Sequence, residues 1–309
     1  MKAVRFHRYG GPEVLQYEDA PLPEVAADDV LIRVHAAGVN PADWKFRAGW
    51  YAAHVPRPLP FIPGSDVAGI VERVGSGVTG FRPGDAVFAM ADMNRNGAYA
   101  DYVAVRAADV AAAPRGLPLE QAAGVPLAAL TAWLALFDVG GLVAGQTVLV
   151  HAGAGGVGSF AVQLARHAGA RVIATASAAS LALVEALGAH QVIDYRAQDF
   201  TDAVHGVDLV LDTVGGPTQA ASWSVLRQGG MLVGVALPPD ADAAARHRVR
   251  AAPAWVTPHG PRLVEIARLL EAGVLKVNVA REFALADAAA AHAFSETGRA
   301  RGKIVLRVA

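Results

Sequence analysis

A glycine-rich stretch, G-x-G-x-x-G beginning at Gly153, carries the clearest chemical signal in the sequence. It follows an apolar, β-branched run at 147–150, which predicts a strand buried on both faces of a parallel sheet. The apolar segment 157–168 then predicts a helix that ends at Gly169. Glycines between such a strand and helix let backbone amides approach a pyrophosphate at the positive end of the helix dipole. The stretch therefore predicts a dinucleotide-binding site.

The segment after the second predicted strand indicates which dinucleotide is bound. In NAD-binding folds an acidic residue about 20 positions past the glycines holds the ribose hydroxyls. Counting from Gly153 reaches Ile173, and residues 174–181 read ATASAASL, without Asp or Glu. Thr175 and Ser177 offer hydroxyl groups to a 2′-phosphate instead, although no basic partner stands in this segment. The sequence therefore favours NADP over NAD.

Composition excludes several other classes of protein. The 309 residues are 53% hydrophobic and 18% charged, typical of a globular protein with large buried surfaces. A net charge of −1 disfavours nucleic acid or an anionic membrane as the main partner. There is no cysteine, which excludes disulfides, thiolate nucleophiles and cysteine-ligated zinc. A polar N-terminus and the lack of a membrane-length apolar run predict a soluble, cytoplasmic protein.

Two kinds of element pattern divide the chain. Short strands separated by glycine turns predict a small, barrel-like β domain up to about residue 118. Strands alternating with helices then predict a doubly wound parallel sheet. The last strand, 303–308, alternates and suits the β domain better. We predict an α/β fold in which residues 1–122 and 260–309 form the β domain and 123–259 the dinucleotide-binding domain.

Several motifs together resemble a known family, the zinc-independent medium-chain dehydrogenase/reductases of the quinone oxidoreductase (zeta-crystallin-like) type. The resemblance covers essentially the whole length and rests on these segments in order: RFHRYGGPEVL, AAGVNPADWKFRAG, PGSDVAGIVERVG, GAYADYV, VLVHAGAGGVGSFAVQLA, VIDYR, LDTVGG and GKIVL. It implies a GroES-like β-barrel domain interrupted by a Rossmann domain, with the active site in the cleft between them. Zinc-dependent members of the wider family carry ligands where this sequence has Asn40 and Gly64-Ser65-Asp66, so no zinc site is expected.

The resemblance also implies which residues contact NADPH. Asn40 and Thr131 correspond to positions near the nicotinamide ribose. The pyrophosphate positions correspond to Gly155, Gly156 and Val157, and the positions near the 2′-phosphate correspond to Ser177 and Tyr195. Ligand crevices lie at the carboxyl ends of parallel strands, which adds the residues after the fourth and fifth predicted strands: Thr213, Val214, Val235 and Leu237. Lys303 matches a basic residue that precedes the last strand. Many relatives have Lys or Arg shortly after the Ser177 position, and this sequence does not.

Candidates for contact with a substrate are fewer. Reduction of a quinone or an enone needs an oriented electrophile and a proton source, which water can supply. Tyr51 follows a turn where family members often place an aromatic residue, so packing against the substrate is the favoured role, with proton donation as the alternative. Met90 and Trp255 are further candidates for lining the substrate site. The alternative for Trp255, as for Trp44 and Trp50, is a position in the core or in an interface.

The remaining polar residues are expected to be structural. Asp43 is interpreted as a cap or a salt-bridge partner, and Asp66 as an acceptor for backbone amides. His151 is interpreted as a packed, hydrogen-bonded histidine rather than a base. The ten histidines show no metal-ligand spacing, and His35, His54 and His259 receive the same structural interpretation.

These patterns predict an NADPH-dependent reductase of quinones or α,β-unsaturated carbonyl compounds. Two alternatives stay open. One is an enoyl-thioester reductase, and the other is a crystallin-like or regulatory protein that binds NADPH with negligible turnover. The segment 249–257 is interpreted as an edge strand whose pairing with a second copy would give a homodimer. A small-molecule substrate is expected, with neither nucleic acid nor a membrane as partner.

Overall fold

The computed structural model describes residues 1–53 and 55–308, so His54 lies outside the described residues. The chain divides into two units. Unit 1 comprises Met1–Leu127, Thr257–Gly273 and the described chain from Val277 onward. Unit 2 comprises Ala128–Val256 and Val274–Lys276. Among the described residues, no helix combines the length and the apolar character that a membrane span requires.

The regular elements are numbered in chain order. The strands are β1 (Lys2–Phe6), β2 (Leu15–Asp19), β3 (Asp29–Val39), β4 (Asp66–Val74), β5 (Ala86–Met90), β6 (Tyr102–Arg106), β7 (Val110–Ala112), β8 (Thr147–Val150), β9 (Arg171–Ala176), β10 (Gln191–Asp194), β11 (Val207–Asp212), β12 (Leu226–Gly234), β13 (Arg250–Pro253), β14 (Val279–Ala284) and β15 (Lys303–Arg307). The helices are α1 (Pro41–Arg47), α2 (Leu119–Ala122), α3 (Pro126–Trp133), α4 (Gly156–His167), α5 (Leu181–Ala186), α6 (Phe200–Ala203), α7 (Gly216–Ser222), α8 (Ala241–His247), α9 (Gly260–Glu271) and α10 (Ala288–Glu296).

Unit 1 is built on the long strand β3. One part of β3 pairs with β6 and another with β15, and the sheet runs in the order β14-β15-β3-β4-β5-β7. Apart from the parallel pair β14–β15, the strands of this sheet pair antiparallel. The prediction that the last strand belongs with the β domain is confirmed, because β15 pairs with β3. Valine and alanine side chains from these strands and from α10 make its core.

Unit 2 contains a parallel six-stranded sheet in the order β10-β9-β8-β11-β12-β13. Counted from β8, this is the strand order 3-2-1-4-5-6 of doubly wound dinucleotide-binding folds. Strands β8, β9 and β11 are almost fully buried, as continuous apolar runs in a parallel sheet require. The order reverses between β9 and β11, on either side of β8, which places a ligand crevice at the carboxyl end of β8.

Some local predictions were wrong or incomplete. The sequence pattern at 98–105 predicts a strand, but only Tyr102–Arg106 is regular and Ala100 makes a single bridge to Ala3. Ser180 is a residue type that caps helices and it precedes α5, but its hydroxyl does not cap the helix and instead lies 3.4 Å from the Ser177 hydroxyl. The apolar segment 126–137 predicts one helix, but α3 ends at Trp133 and continues as a π-helical turn to Val139.

Candidate functional site

The glycine turn in unit 2 has the geometry that the sequence predicts. A Cβ on Gly158 would lie 2.1 Å from the carbonyl oxygen of Ala152, and one on Gly153 would lie 2.9 Å from the Ala174 side chain. Only glycine allows this close approach of helix and strand. Helix α4 starts from Gly155 without a side-chain cap and without an acidic residue in its first turn. Because the first amides of a helix have no intrahelical acceptor, this N-terminus fits a pyrophosphate.

Residues that follow the other strands gather at the same edge of the sheet. The Thr213 hydroxyl donates to the His151 carbonyl at 2.8 Å, which ties the end of β11 to the end of β8. The backbone amide of Val235 donates to the Asp212 carbonyl. Val214 and Leu237 leave nearly half of their surfaces exposed, as apolar residues at a ligand-binding edge do. The structure therefore places the residues predicted after β11 and β12 beside each other.

The ends of β9 and β10 form the position where the adenosine ribose binds in such folds. The amide of Tyr195 donates to the Ala176 carbonyl, which brings Tyr195 next to Ser177. Tyr195 is half exposed. The last residues of β9 offer hydroxyl and methyl groups and no carboxylate, so the end of β9 lacks the acceptor that a free 2′-hydroxyl requires. The residues present fit a ribose that carries a 2′-phosphate.

Below the glycine turn lies a buried neutral set, here called the histidine cluster: His151, Thr175 and Ser222. The Ser222 hydroxyl donates to the Thr218 carbonyl at 2.7 Å, so it accepts from Nε2 of His151 at 2.9 Å. Nδ1 of His151 then accepts from the Thr175 hydroxyl at 3.2 Å. Burial lowers the pKa of His151 to about 4, while Asp212 acts in the opposite direction. His151 is therefore a packed, neutral, hydrogen-bonded residue, as predicted.

A second buried set, here called the lysine cluster, lies in unit 1: Asn40, Asp66 and Lys303. The Asn40 side-chain amide donates to Oδ2 of Asp66 at 2.9 Å. The Lys303 ammonium donates to Oδ1 of Asn40 at 2.5 Å and to Oδ2 of Asp66 at 3.1 Å. Oδ1 of Asp66 accepts the backbone amide of Leu127 at 2.6 Å. The prediction that Asp66 accepts a backbone amide is confirmed, and the ion pair with Lys303 is an addition that the sequence did not indicate.

Asp43 extends the lysine cluster toward the core of unit 1. Its carboxylate accepts the Asn40 backbone amide at 2.7 Å at the start of α1, which confirms its interpretation as a cap. It also accepts the Ser65 hydroxyl at 3.1 Å and the Tyr99 hydroxyl at 3.3 Å. Burial raises the pKa of Asp43 to about 6, and the Asp66 charge adds to that effect.

A buried tyrosine and histidine complete this arrangement. Because the Tyr99 hydroxyl donates to Asp43, it accepts from Nε2 of His292 at 3.2 Å. Burial raises the pKa of Tyr99 well above its usual value and lowers that of His292 to about 3. Sequence reasoning missed both residues. They are 193 positions apart, and no local pattern marks either of them.

Zinc does not fit the residues at these positions. Among residues 1–53 and 55–308, no three His, Asp or Glu side chains form a group that could hold a metal ion. Asn40 and Asp66, which stand where zinc-dependent relatives carry ligands, are bound to each other and to a buried ammonium group. A second cation beside Lys303 would meet electrostatic repulsion in a poorly solvated site. No chemical step is therefore assigned to a metal.

The other predicted residues are located as follows. Thr131 is buried in α3. The Tyr51 ring packs on Phe46 with centroids 4.8 Å apart, and burial raises the pKa of Tyr51. Met90, at the end of β5, is fully buried, so its side chain has no surface for contact with a ligand in this conformation. Trp255 follows β13 and is 62% exposed.

Comparison with known proteins agrees with both units. The profile of the alcohol dehydrogenase GroES-like domain matches residues 26–115, and that of the zinc-binding dehydrogenases matches residues 187–306. The NADPH-dependent alkenal/one oxidoreductase of Arabidopsis thaliana chloroplasts is 37% identical over 99% of this chain and 79% of its own length.

Two solved structures are similar over the whole chain. The quinone oxidoreductase from Coxiella burnetii has a TM-score of 0.94 and 37% identity, covering 100% of this chain and 99% of that one. A mycobacterial protein complexed with NADPH has a TM-score of 0.90 and 35% identity, with 100% of both chains covered. The chain belongs to the zinc-independent medium-chain dehydrogenase/reductases of the quinone oxidoreductase family.

Proposed function

We propose that this protein reduces quinones or α,β-unsaturated carbonyl compounds with NADPH. The observation that carries the proposal is the uncapped glycine turn at α4 beside an acid-free end of β9, which suits a phosphorylated dinucleotide. The relatives support the acceptor class, since they are named as a quinone oxidoreductase and as an alkenal/one oxidoreductase. An NADPH-dependent relative and a similar structure complexed with NADPH support the cofactor.

Bound NADPH supplies a hydride, which together with one proton converts an enone to the saturated carbonyl compound or a quinone to the hydroquinone. The amides of Gly156 and Val157 would hold the pyrophosphate, and Ser177 and Tyr195 the 2′-phosphate. Apolar Val214 and Leu237 would shield the cofactor from water. These assignments follow from the position of each residue at the carboxyl edge of the sheet in unit 2.

In unit 1 the lysine cluster fixes the orientation of Asn40, which we assign to the nicotinamide ribose. The Asn40 amide has one N–H in contact with Asp66, which leaves its second N–H to donate. The Lys303 ammonium likewise has two of its three N–H groups in contact with Asn40 and Asp66. Because both side chains are buried, their donors keep a fixed direction.

Tyr51 is assigned to the substrate carbonyl. Met90 is fully buried and is therefore not assigned to the substrate site, and Trp255, which is exposed after β13, stays a candidate for contact with the substrate. Burial raises the pKa of Tyr51, so its hydroxyl stays protonated at neutral pH and can donate a hydrogen bond. Replacing Tyr51 by Phe keeps the packing on Phe46 and removes the donor. If the hydroxyl assists the reduction, Y51F lowers kcat with little change in KM. An unchanged kcat would leave Tyr51 with a packing role.

The proposal is tested by following NADPH and NADH oxidation with a benzoquinone, a naphthoquinone, a short enone and an enoyl-CoA. We expect turnover with NADPH and a quinone or the enone, and little turnover with NADH. Turnover confined to the enoyl-CoA would replace the proposal by an enoyl-thioester reductase. Tight NADPH binding without turnover on any acceptor would replace it by a binding protein.

We also propose a homodimer. Strand β13 is the last strand of its sheet and, among the described residues, pairs only with β12, which leaves one edge for a second copy. Trp255 is exposed directly after this strand. Sedimentation equilibrium showing a monomer at micromolar concentration would contradict the dimer. A cytoplasmic location also stays a prediction.

A further inference from the structure

The edge of unit 2 that should hold the 2′-phosphate lacks a cation in the segment where one is expected. From Ala174 to Ala189, Glu185 is the one residue with a formal charge. A phosphate group bound there by hydroxyl groups alone would receive no compensation for its charge. A cation supplied by another strand would solve this problem.

Strand β10 brings such a cation to this edge. It pairs parallel with β9, so the residues that follow the two strands emerge side by side. Tyr195 and Arg196 follow β10, and the amide of Tyr195 donates to the carbonyl of Ala176, directly before Ser177. The Arg196 guanidinium lies over the Tyr195 ring, 5.6 Å from its centroid. This cation–π contact limits the conformations of an otherwise exposed side chain.

The carboxylates near Arg196 leave its guanidinium available to bind a phosphate group. Among the described residues, the Arg196 guanidinium contacts the Tyr195 ring and forms no ion pair with a carboxylate. The nearest acid in sequence, Asp194, accepts the backbone amide of Arg196 at 3.1 Å. Asp199 accepts the backbone amide and the hydroxyl of Thr201 at the start of α6. Both carboxylates are therefore used by local backbone contacts rather than by the Arg196 side chain.

We infer that Arg196 is the residue that selects NADPH over NADH, pairing with the 2′-phosphate together with the Ser177 hydroxyl. The Ser180 hydroxyl, 3.4 Å from that of Ser177, supplies a second neutral donor at the same edge. A guanidinium presents several N–H donors in one plane and suits a phosphate group. This assignment rests on the proposed use of NADPH. It adds a residue that follows β10, whereas the expected basic residue follows β9.

The test uses two ligands that differ only in the 2′-phosphate: adenosine 2′,5′-bisphosphate and adenosine 5′-monophosphate. Their dissociation constants are measured by isothermal titration calorimetry for the wild-type protein and for R196Q, R196K and R246Q. Arg246 is an exposed arginine on α8, which packs at the opposite edge of the same sheet, so R246Q matches the charge change of R196Q.

We expect R196Q to weaken the 2′,5′-bisphosphate about tenfold, the size of one charge-assisted hydrogen bond, and to leave the monophosphate unchanged. R196K should retain part of the affinity and R246Q all of it. Raising the ionic strength should reduce the preference of the wild type more than that of R196Q. Equal affinity of R196Q and wild type for the 2′,5′-bisphosphate would overturn the assignment, as would a wild type that does not prefer it to the monophosphate.

Binding and turnover separate this inference from the proposed function. A wild-type protein that uses Arg196 to bind the 2′,5′-bisphosphate but reduces no quinone or enone supports the inference and contradicts the proposed reaction. Turnover with NADPH and NADH at equal efficiency, with R196Q indistinguishable from wild type, supports the reaction class and contradicts the inference.

Discussion

The lysine cluster of unit 1 and the histidine cluster of unit 2 bury polar groups in opposite ways. The lysine cluster of unit 1 contains an ion pair whose members, Asp66 and Lys303, have almost no exposed surface. The histidine cluster of unit 2 contains an imidazole that burial keeps neutral, and two hydroxyl groups satisfy its nitrogens. The lysine cluster therefore depends on compensation of charge, and the histidine cluster on avoidance of charge.

The difference follows from what each cluster holds in place. The lysine cluster joins parts of unit 1 that are far apart in the sequence. The contacts of Asn40, Asp66 and Lys303 connect α1, β4 and β15. His151 lies directly after β8, and its neighbours Thr175 and Thr213 hold the peptide between His151 and Ala152, directly before the glycine turn. Loss of one charge in the first cluster leaves a buried opposite charge, whereas loss of one hydroxyl in the second leaves a neutral donor unpaired.

The largest effect is expected for Lys303→Met, which leaves Asp66 buried without a counter-ion. We expect unit 1 to lose about 3–5 kcal/mol of unfolding free energy. Hydrogen exchange at the backbone amides of β15 measures this loss of unfolding free energy in unit 1 separately from unit 2. The double variant Lys303→Met with Asp66→Asn should recover part of the loss. If protection of β15 in Lys303→Met equals that of the wild type, the ion pair does not stabilise unit 1.

The next effect is a pH dependence in unit 2. The folded pKa of His151, about 4, lies below the value of about 6.5 in an unfolded chain. Above pH 6.5, His151 does not lower the unfolding free energy. As the pH falls toward 4, the unfolded chain binds a proton that the folded protein does not, and the unfolding free energy decreases. Since each pKa unit corresponds to about 1.4 kcal/mol, the loss is about 3 kcal/mol. The difference in unfolding free energy between wild type and His151→Asn, measured from pH 7 to 4, should shrink by that amount.

A matched control for this prediction is His205→Asn, which replaces an exposed histidine of the same unit. The difference between His205→Asn and wild type should not change with pH to the same extent. An equal pH dependence in both variants would show that burial of His151 does not control the acid sensitivity.

Asp43 in unit 1 should show the opposite sign. Its folded pKa, about 6, lies above the value of about 3.9 in an unfolded chain. Below pH 4, Asp43 does not lower the unfolding free energy. As the pH rises through 6, the unfolding free energy decreases by about 2–3 kcal/mol because of this residue. The stability of Asp43→Asn relative to wild type should therefore increase between pH 4 and 7. Using this difference separates Asp43 from His292, whose lowered pKa acts in the other direction in the same unit.

The smallest effect is expected for Ser222→Ala. This variant removes the acceptor for Nε2 of His151 and leaves a buried neutral donor, which costs about 1–2 kcal/mol. Thermal unfolding compares it with Ser224→Ala, where an exposed hydroxyl loses its contact with the Ala221 carbonyl. A loss in Ser222→Ala as large as that in Lys303→Met would remove the distinction between the two clusters.

The sequence predicted the parallel sheet of unit 2 well, because each strand there is a short apolar run that is recognisable by itself. The strand 147–150 has the predicted bounds, and β13 is the edge strand that residues 249–257 suggested. Strands β2 and β14 were missed, since their charged and exposed residues resemble loops. Helix α8 was also missed, because the strong alanine bias of the chain weakens propensity arguments.

The candidate site was predicted in part. The glycine turn, Ser177 and Tyr195 follow from motifs along the chain, and the structure brings them to one edge of the sheet. Arg196 was not singled out, because the expected basic residue was sought after β9 and the cation instead follows β10. Only the pairing of β9 with β10 makes the two positions neighbours.

The sequence by itself determined the glycine turn, the likeness to a reductase family and the acid-free segment after β9, since each depends on residues close together in the chain. Tertiary structure decided the ionic partner of Asp66, which is 237 positions away, and the neutral state of His151. Both depend on the loss of water around groups that folding brings together. Charge and protonation in a protein interior are set by that loss of solvation, which no local pattern records.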